Sequence, residues 1–173
     1  MLPSTAVFAL KTYIIQRPND KHALHIFSML SEREGQYEPA SQSLRQVSDI
    51  LEQEYEDSED EDILRQFCIV KSDLGRIYLA LGDYTGAVEQ SFTALDLSQD
   101  LSDLTNVRLS SHLIGGLSHY FSGDMETAIS MFQNALTESD EDVDVMLLVG
   151  QALWATGGSQ EREVALQQIR DWF

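Results

Sequence analysis

The chain has 173 residues, of which 43% are hydrophobic and only 3 are proline, a composition that fits neither a disordered nor a fibrous protein. Its formal net charge of −18 argues against nucleic acid or an anionic membrane as a direct partner, because a protein needs Lys and Arg to neutralise phosphate. No apolar run approaches the roughly 18 residues of a membrane-spanning helix. We therefore predict a soluble protein of the cytoplasm, with the nucleus as a further location.

Helical periodicity begins near the N-terminus. Residues 4–17 predict one helix that ends before Pro18, and residues 21–55 predict a pair of helices that meet near Gly35. Ala6 lies 34 residues before Ala40, so the first helix corresponds to the second member of that pair. The helix has no partner of its own, and the chain ends in Trp172 and Phe173 rather than in a polar capping helix. We expect the chain to be a segment of a longer array; the alternative is that its ends pair with copies of themselves.

An acidic block follows the first helical pair. In the run "EYEDSEDED", positions 54 to 62, 7 of the residues are acidic. Because like charges repel one another, we expect an exposed loop or frayed helix end here, with residues 56–62 as an acidic linker. We expect the run from Glu54 to Asp62 to be mobile and dispensable for folding. Ser58 is followed by three acidic residues, which is the pattern of a phosphorylation site for an acidophilic kinase.

The clearest helical pair occupies residues 68–101. Apolar residues recur there at spacings of three and four until Gly82, and a second helix begins near Tyr84. Small residues stand at Gly75, Ala87 and Ala94 within these helices. Glycine inside a helix costs about 1 kcal/mol relative to alanine, so its presence indicates a steric need. We expect Gly75 and Ala87 to lie where the two helices cross.

The same small residues return further along the chain. In residues 109–142 they lie 41 positions after their counterparts, at Gly116, Gly123, Ala128 and Ala135. Residues 143–173 begin the pattern once more, 34 positions later. The seven extra residues of the longer step equal about two helical turns, which extended helices could take up. No stretch alternates like a strand, so we predict an all-α fold of about nine helices.

A 34-residue helix–turn–helix with these small residues resembles the tetratricopeptide repeat (TPR). The resemblance implies a right-handed α-solenoid of antiparallel helix pairs, in which the first helix of each pair lines a concave groove. The groove predicted in this way lacks the Lys and Asn residues with which chaperone-binding members hold a C-terminal carboxylate. Nine residues project towards it: Ile69, Arg76, Leu79, Leu113, Leu117, Tyr120, Phe121, Leu147 and Trp154.

The sequence carries no motif for catalysis or for a cofactor. His22 and His25 lie one helical turn apart, but no neighbouring cysteine or suitably spaced carboxylate completes a set of metal ligands. No glycine loop is followed by the Lys and Ser or Thr of a phosphate-binding motif. Cys68, the only cysteine, lies in an apolar run and is interpreted as a small buried hydrophobic residue. We predict no enzymatic activity, no metal and no cofactor.

These observations favour a protein–protein interaction scaffold. From Ile77 to Glu161 there are 13 acidic residues and one base, Arg108, so we expect a partner that carries basic residues beside apolar anchors. The stretch "LKTYIIQRPNDKHALHIFSML" is similar in texture to the long-helix scaffold repeats of superkiller complexes. That resemblance implies a role in cytoplasmic mRNA decay, with helicase and WD-repeat subunits as partners. The alternative is a regulatory or substrate-recruiting repeat domain of an enzyme whose catalytic part lies outside this chain.

Overall fold

The structure, a computed structural model, describes residues 5–138 and 143–155 together with positions 163 and 167. The described residues form eight α-helices and one short 3-10 turn, with no strand among them, so the all-α prediction is confirmed. Within the last predicted helical pair, in residues 143–173, positions 156–162, 164–166 and 168–173 lie outside the described residues. The helices are α1 (Thr5–Gln16), α2 (Lys21–Arg33), α3 (Tyr37–Ser58), α4 (Glu61–Leu81), α5 (Tyr84–Leu97), α6 (Thr105–Ser122), α7 (Met125–Glu138) and α8 (Val143–Ala155); the 3-10 turn is Ser102–Leu104.

The helices pack in the order in which they occur along the chain. Each one lies against its sequence neighbours, and α4 additionally reaches α6 across the intervening helix. Contacts restricted to neighbouring units are typical of solenoids, in which successive helical pairs stack on one another. The pairs α2–α3, α4–α5 and α6–α7 are the stacked units, and α1 precedes them.

A tight glycine turn joins the two helices of each pair. The glycines have left-handed backbones, with φ of 72° at Gly35, 76° at Gly82 and 86° at Gly123, which other residues adopt only with strain. The residue after each glycine donates its backbone N–H to the carbonyl five residues earlier, at 2.8, 2.9 and 2.9 Å. In two of the turns that residue is aspartate. Asp83 and Asp124 then accept a backbone N–H three residues further on and so cap α5 and α7.

The small residues lie where helices come closest. A Cβ atom placed on Gly75 would lie 3.3 Å from the carbonyl oxygen of Ala87 and 3.1 Å from the hydroxyl of Ser91. Ala87 and Ser91 are both fully buried. Ser91 stands where the TPR pattern has a large apolar residue, and this crossing has no room for one. Its hydroxyl is satisfied within the helix, because it donates to the Ala87 carbonyl at 2.7 Å.

The next pair repeats this crossing with different neighbours. A Cβ atom on Gly116 would come within 2.4 Å of the Phe132 ring, so any side chain there would displace the phenyl group. Ala94, Ala128 and Ala135 have no exposed surface. Small residues in the helices therefore set the distance between helices, while the large side chains fill the space beside them.

The acidic block is helical, so the predicted linker at residues 56–62 is wrong. α3 continues to Ser58 and α4 begins at Glu61, which leaves only Glu59 and Asp60 between them. The extra residues of this step lengthen α3 and α4 to 22 and 21 residues. Acidic side chains do not oppose this at the start of α4, where the helix dipole favours negative charge. Every side chain from 56 to 62 is exposed, as expected for this block.

The second overlong step is built mainly from an irregular connection. Residues 98–104, including the 3-10 turn, join α5 to α6, so helix extension takes up only part of the seven extra residues. Arg108 of α6 holds this connection in place. Its guanidinium donates to the Leu101 carbonyl at 2.8 Å and to the Ser98 carbonyl at 3.3 Å, and makes two bonds to Glu138 of 2.9 and 3.1 Å.

Candidate functional site

The nine predicted groove residues lie on three first helices, namely α4, α6 and α8. Seven of them line depressions in the structure. It separates them into a surface between α2 and α4 that is rich in ion pairs and a surface on α6 and α8 that is rich in aromatic side chains.

The first surface, called the ionic surface here, consists of His25, Glu32, Asp73 and Arg76, with the exposed apolar residue Ile69 beside them. Arg76 of α4 forms ion pairs with Glu32 of α2 and, at 2.8 Å, with Asp73. Asp73 also lies 3.4 Å from the Nε2 atom of His25. These residues line an open depression of about 590 Å³ between the two helices.

The charged groups of the ionic surface are paired with one another. Burial lowers the pKa of Arg76, but a guanidinium starts so far above neutrality that it stays charged. Its two carboxylate partners leave it little capacity to bind a further anion. This surface is therefore best suited to holding α2 against α4, and less suited to recognising a charged ligand.

The second surface, called the aromatic surface here, consists of Tyr84, Tyr120, Phe121, Leu147 and Trp154. The exposed fractions of Phe121, Leu147 and Trp154 are 56%, 44% and 49%. Tyr120, Leu147 and Trp154 line a depression of about 360 Å³ between α6 and α8. A second depression of about 300 Å³ is also lined by Tyr120 and includes Phe121.

The aromatic rings of this surface pack against each other across helical pairs. The ring of Phe121, near the end of α6, stacks on that of Tyr84, the first residue of α5, with centroids 5.7 Å apart. Tyr120 meets Phe121 edge to face at 5.6 Å. Such pairs contribute about 0.5–1.5 kcal/mol beyond the area they bury, so the rings hold one another in fixed positions. More than half of Phe121 nevertheless faces solvent.

Two proteins with the same name are similar to this chain over nearly its whole length. It is 34% identical over 167 residues to Superkiller protein 3 of Schizosaccharomyces pombe, with 95% of this chain covered. It is 29% identical over 171 residues to Superkiller protein 3 of Saccharomyces cerevisiae, with 98% covered. The chain spans 12% of the length of each of these curated relatives. No family model matches the chain.

Solved structures of repeat proteins superimpose closely on it. MamA from Desulfovibrio magneticus RS-1, from residue 41 to its end, aligns with a TM-score of 0.73 at 14% identity, over 98% of this chain and 83% of that one. A Podosopora anserina putative kinesin light chain with nearly identical TPR-like repeats aligns with a TM-score of 0.72 at 18% identity, over 96% and 84%. The chain has the TPR-like fold. At these identities the structural matches concern the fold alone.

The remaining predicted groove residues of the TPR-like array are less open. Leu79, Leu113 and Leu117 are half-buried. Leu113 and Leu117 pack against a buried cluster formed by Ala128 and Phe132 of α7. Leu113 and Leu117 therefore anchor α6 on α7, and they offer a partner less area than Phe121 or Trp154.

Ser58, the predicted kinase site, is exposed in the last turn of α3. Its hydroxyl donates to the carbonyl of Glu54 at 2.7 Å and accepts the backbone N–H of Asp60 at 3.3 Å. The side chain thus spans the short break between α3 and α4. Phosphorylation at this position stays a prediction.

The described residues contain no group of three or more His, Cys, Asp or Glu side chains that could hold a metal ion. Burial raises the pKa of Cys68 to about 11, so its thiol is protonated at neutral pH and is a poor nucleophile. Within the same part of the TPR-like array, no helix has the length and apolarity needed to cross a membrane.

The sequence did not assign His25, Glu32, Asp73 or Tyr84 to either surface. His25 was considered only as a metal ligand, and Tyr84 only as the start of a helix. The spacing of Asp73 and Arg76, one helical turn apart on α4, is a signal for a local ion pair. No local signal connects Glu32 to Arg76, because these residues belong to different helical pairs. Tyr84 was placed correctly at the start of α5, but its stacking on Phe121 depends on how two successive pairs of the TPR-like array are stacked.

Proposed function

We propose that this chain is a scaffold segment that binds a protein partner through the aromatic surface. The observation that carries the proposal is the exposure of Phe121, Leu147 and Trp154 on neighbouring first helices. Large aromatic residues that stay accessible in a concave region are frequent hot spots of protein–protein interfaces. The ionic surface offers no comparable anchor, since its charged groups already have partners.

The two relatives named Superkiller protein 3 support a more specific role. We propose that the chain belongs to a scaffold of a superkiller-type assembly in cytoplasmic mRNA decay, with helicase and WD-repeat subunits as partners. The other candidate, a regulatory or substrate-recruiting domain of an enzyme, is not favoured, because both relatives carry the superkiller name.

Binding measurements with two alanine variants test this proposal. Tyr120→Ala and Trp154→Ala should each weaken binding to the purified helicase or WD-repeat subunit of the same organism by about 30-fold, the loss that corresponds to a hot spot of 2 kcal/mol. Calorimetry gives the affinity, and circular dichroism shows whether the variants fold. Phe92→Ala is the matched control, because this phenyl is 46% exposed but lies on a second helix, α5.

If both groove variants fold and bind like the parent chain, the aromatic surface is not the partner site. If Phe92→Ala weakens binding as strongly as they do, the convex side of the array carries the interface instead.

A further inference from the structure

The aromatic surface combines partly exposed rings with a negatively charged surrounding. Stacked and edge-to-face contacts fix Tyr84, Tyr120 and Phe121 in place while leaving a large part of Phe121 accessible. The face of an aromatic ring is electron-rich and attracts a cation placed within about 6 Å of the ring centroid. These rings therefore present a preorganised site with the electrostatic character that suits a positively charged group.

Carboxylates lie at both ends of the Tyr84–Phe121 stack along the chain. Asp83 immediately precedes Tyr84, and Asp124 follows Phe121 by three residues. Both side chains are exposed and held in position, because each caps the following helix. A hydrogen bond from Thr127 lowers the pKa of Asp124 below the usual value for aspartate, so this side chain is ionised at neutral pH.

Among the described residues, no Lys or Arg is paired with Asp83 or Asp124, and Asp124 lies 3.1 Å from the Nδ1 atom of His119. From Ile77 to Glu161 the only Lys or Arg is Arg108, among 13 acidic residues. Arg108 is engaged by both carboxylate oxygens of Glu138 and by the backbone of the α5–α6 connection. The charge of the region is therefore complementary to a basic partner and is not already balanced from within.

We propose that the aromatic surface recognises an arginine side chain of an extended partner segment. The planar guanidinium stacks on Phe121 and Tyr120, and Asp83 and Asp124 attract its charge. An apolar neighbour of that arginine occupies the depression beside Leu147 and Trp154. Arginine suits the site better than lysine, because its flat, weakly hydrated group stacks on rings and loses less hydration on binding. This inference rests on the proposed function, since it specifies the partner of the same surface.

Three synthetic peptides that differ in one group test the cation. The probes are acetyl-Gly-Leu-Arg-Gly-Leu-Arg-Gly-amide, the same peptide with citrulline in place of both arginines, and the same peptide with lysine. Citrulline keeps the planar shape and removes the charge. Titration into the ¹⁵N-labelled chain, observed by nuclear magnetic resonance at the Trp154 indole and the Phe121 amide, should show the arginine peptide binding about tenfold tighter than the citrulline peptide. The lysine peptide should fall between them.

Variants of the chain separate ring stacking from general electrostatic attraction. Phe121→Leu keeps apolar area but removes the ring, and should weaken the arginine peptide by about threefold or more without changing the citrulline peptide. Asp83→Asn with Asp124→Asn should also weaken it, since asparagine preserves the helix caps and removes the charges. Phe92→Leu is the control for loss of an exposed ring elsewhere, and should have no effect.

Equal binding of the arginine and citrulline peptides, no binding of either at millimolar concentration, or an unchanged affinity of Phe121→Leu each overturns the arginine proposal. The proposed function survives such a result if Tyr120→Ala and Trp154→Ala still weaken binding of the purified subunits by about 30-fold. If those alanine variants bind the subunits normally while the peptide results are as expected, the arginine site stands and the subunit assignment fails.

Discussion

The α3–α4 and α5–α6 connections both accommodate extra residues, but different interactions stabilise them. Both must accommodate more residues than the 34 of the repeat, yet the helical pairs on either side stack in the same way. The first step lengthens two helices and leaves only Glu59 and Asp60 between them. The second step leaves seven residues outside helices except for a 3-10 turn, and Arg108 ties them down. Local helix formation stabilises the first, while the second is held by the half-buried Arg108 and, at Asp103, by Arg65.

The difference shows why charge counts alone are a poor guide to local order. The junction of α3 and α4, called the acidic tip here, consists of residues 56–62 and carries many exposed carboxylates. Its backbone hydrogen bonds are nevertheless made within the two helices. The α5–α6 connection is apolar enough to bury Leu101 and Leu104 against Cys68, but the link from its Ser98 and Leu101 carbonyls to Glu138 of α7 runs through the single side chain of Arg108. The second connection should therefore be far more sensitive to one substitution.

The largest effect is expected from Arg108→Met. Only 17% of this side chain is exposed, and its loss leaves Glu138 without the guanidinium that pairs with it, while the carbonyls of Ser98 and Leu101 keep only their backbone N–H donors. We expect the free energy of unfolding to fall by about 2–4 kcal/mol, as when one partner of a buried ion pair is removed. Urea denaturation followed by circular dichroism measures the change.

Arg65→Met is the matched control for this comparison. Arg65 pairs with Glu61 and Asp62 at the exposed start of α4 and with the exposed Asp103 of the α5–α6 connection, so its ion pairs are more exposed than that of Arg108. Exposed ion pairs contribute little, so this variant should be clearly more stable than Arg108→Met. Equal losses in the two variants would remove the contrast between the connections.

Gly75→Leu should have the next largest effect. The helical pair between the two connections depends on the close approach of α4 to α5, and a leucine would overlap Ser91 and the Ala87 carbonyl. We expect a loss of about 1–3 kcal/mol, observed as a lower urea midpoint. Ala80→Leu on the same helix is exposed and should change stability little. A Gly75→Leu variant as stable as the parent would mean that the crossing can relax.

Two substitutions at the acidic tip should have small effects of opposite sign. Asp57 lies in the last turn of α3, where the helix dipole disfavours a negative charge, whereas Asp62 lies in the first turn of α4, where it is favoured. Asp57→Asn should therefore raise the free energy of unfolding by a few tenths of a kcal/mol, and Asp62→Asn should lower it by a similar amount. Both differences should shrink in 1 M salt. Effects of the same sign would indicate that repulsion across the tip outweighs the dipoles.

The smallest expected effect concerns pH and the α6 helix. Burial lowers the pKa of His112; Glu138 opposes this change and Arg108 adds to it. The unfolded chain binds the proton more readily, so stability is fully present above pH 6.5 and is lost as the pH falls below it. The slope cannot exceed about 1.4 kcal/mol per pH unit for one proton. His112→Gln should flatten this part of the stability profile between pH 7 and pH 5; an unchanged profile would assign the slope to other groups.

The sequence was sufficient for the parts of the structure that local rules determine. Gly82 and Gly123 predict turns because only glycine adopts their left-handed backbone easily, and Gly75 predicts a close crossing because a glycine inside a helix needs a steric reason. The acidic block was misjudged, since repulsion between exposed charges is weaker than the backbone hydrogen bonds of two long helices. The stack of Tyr84 on Phe121 and the pairing of Glu32 with Arg76 were beyond reach, because both depend on the angle between successive helical pairs.

The three glycine turns have the same backbone geometry, and all the variation in length falls between helical pairs. For protein engineering, this means that each helical pair is best kept intact. New sequence is better inserted at the junctions between pairs. The position between Glu59 and Asp60 is the natural choice for an epitope or a fluorescent domain. It lies outside both helices, and the aromatic surface is built from residues beyond α4.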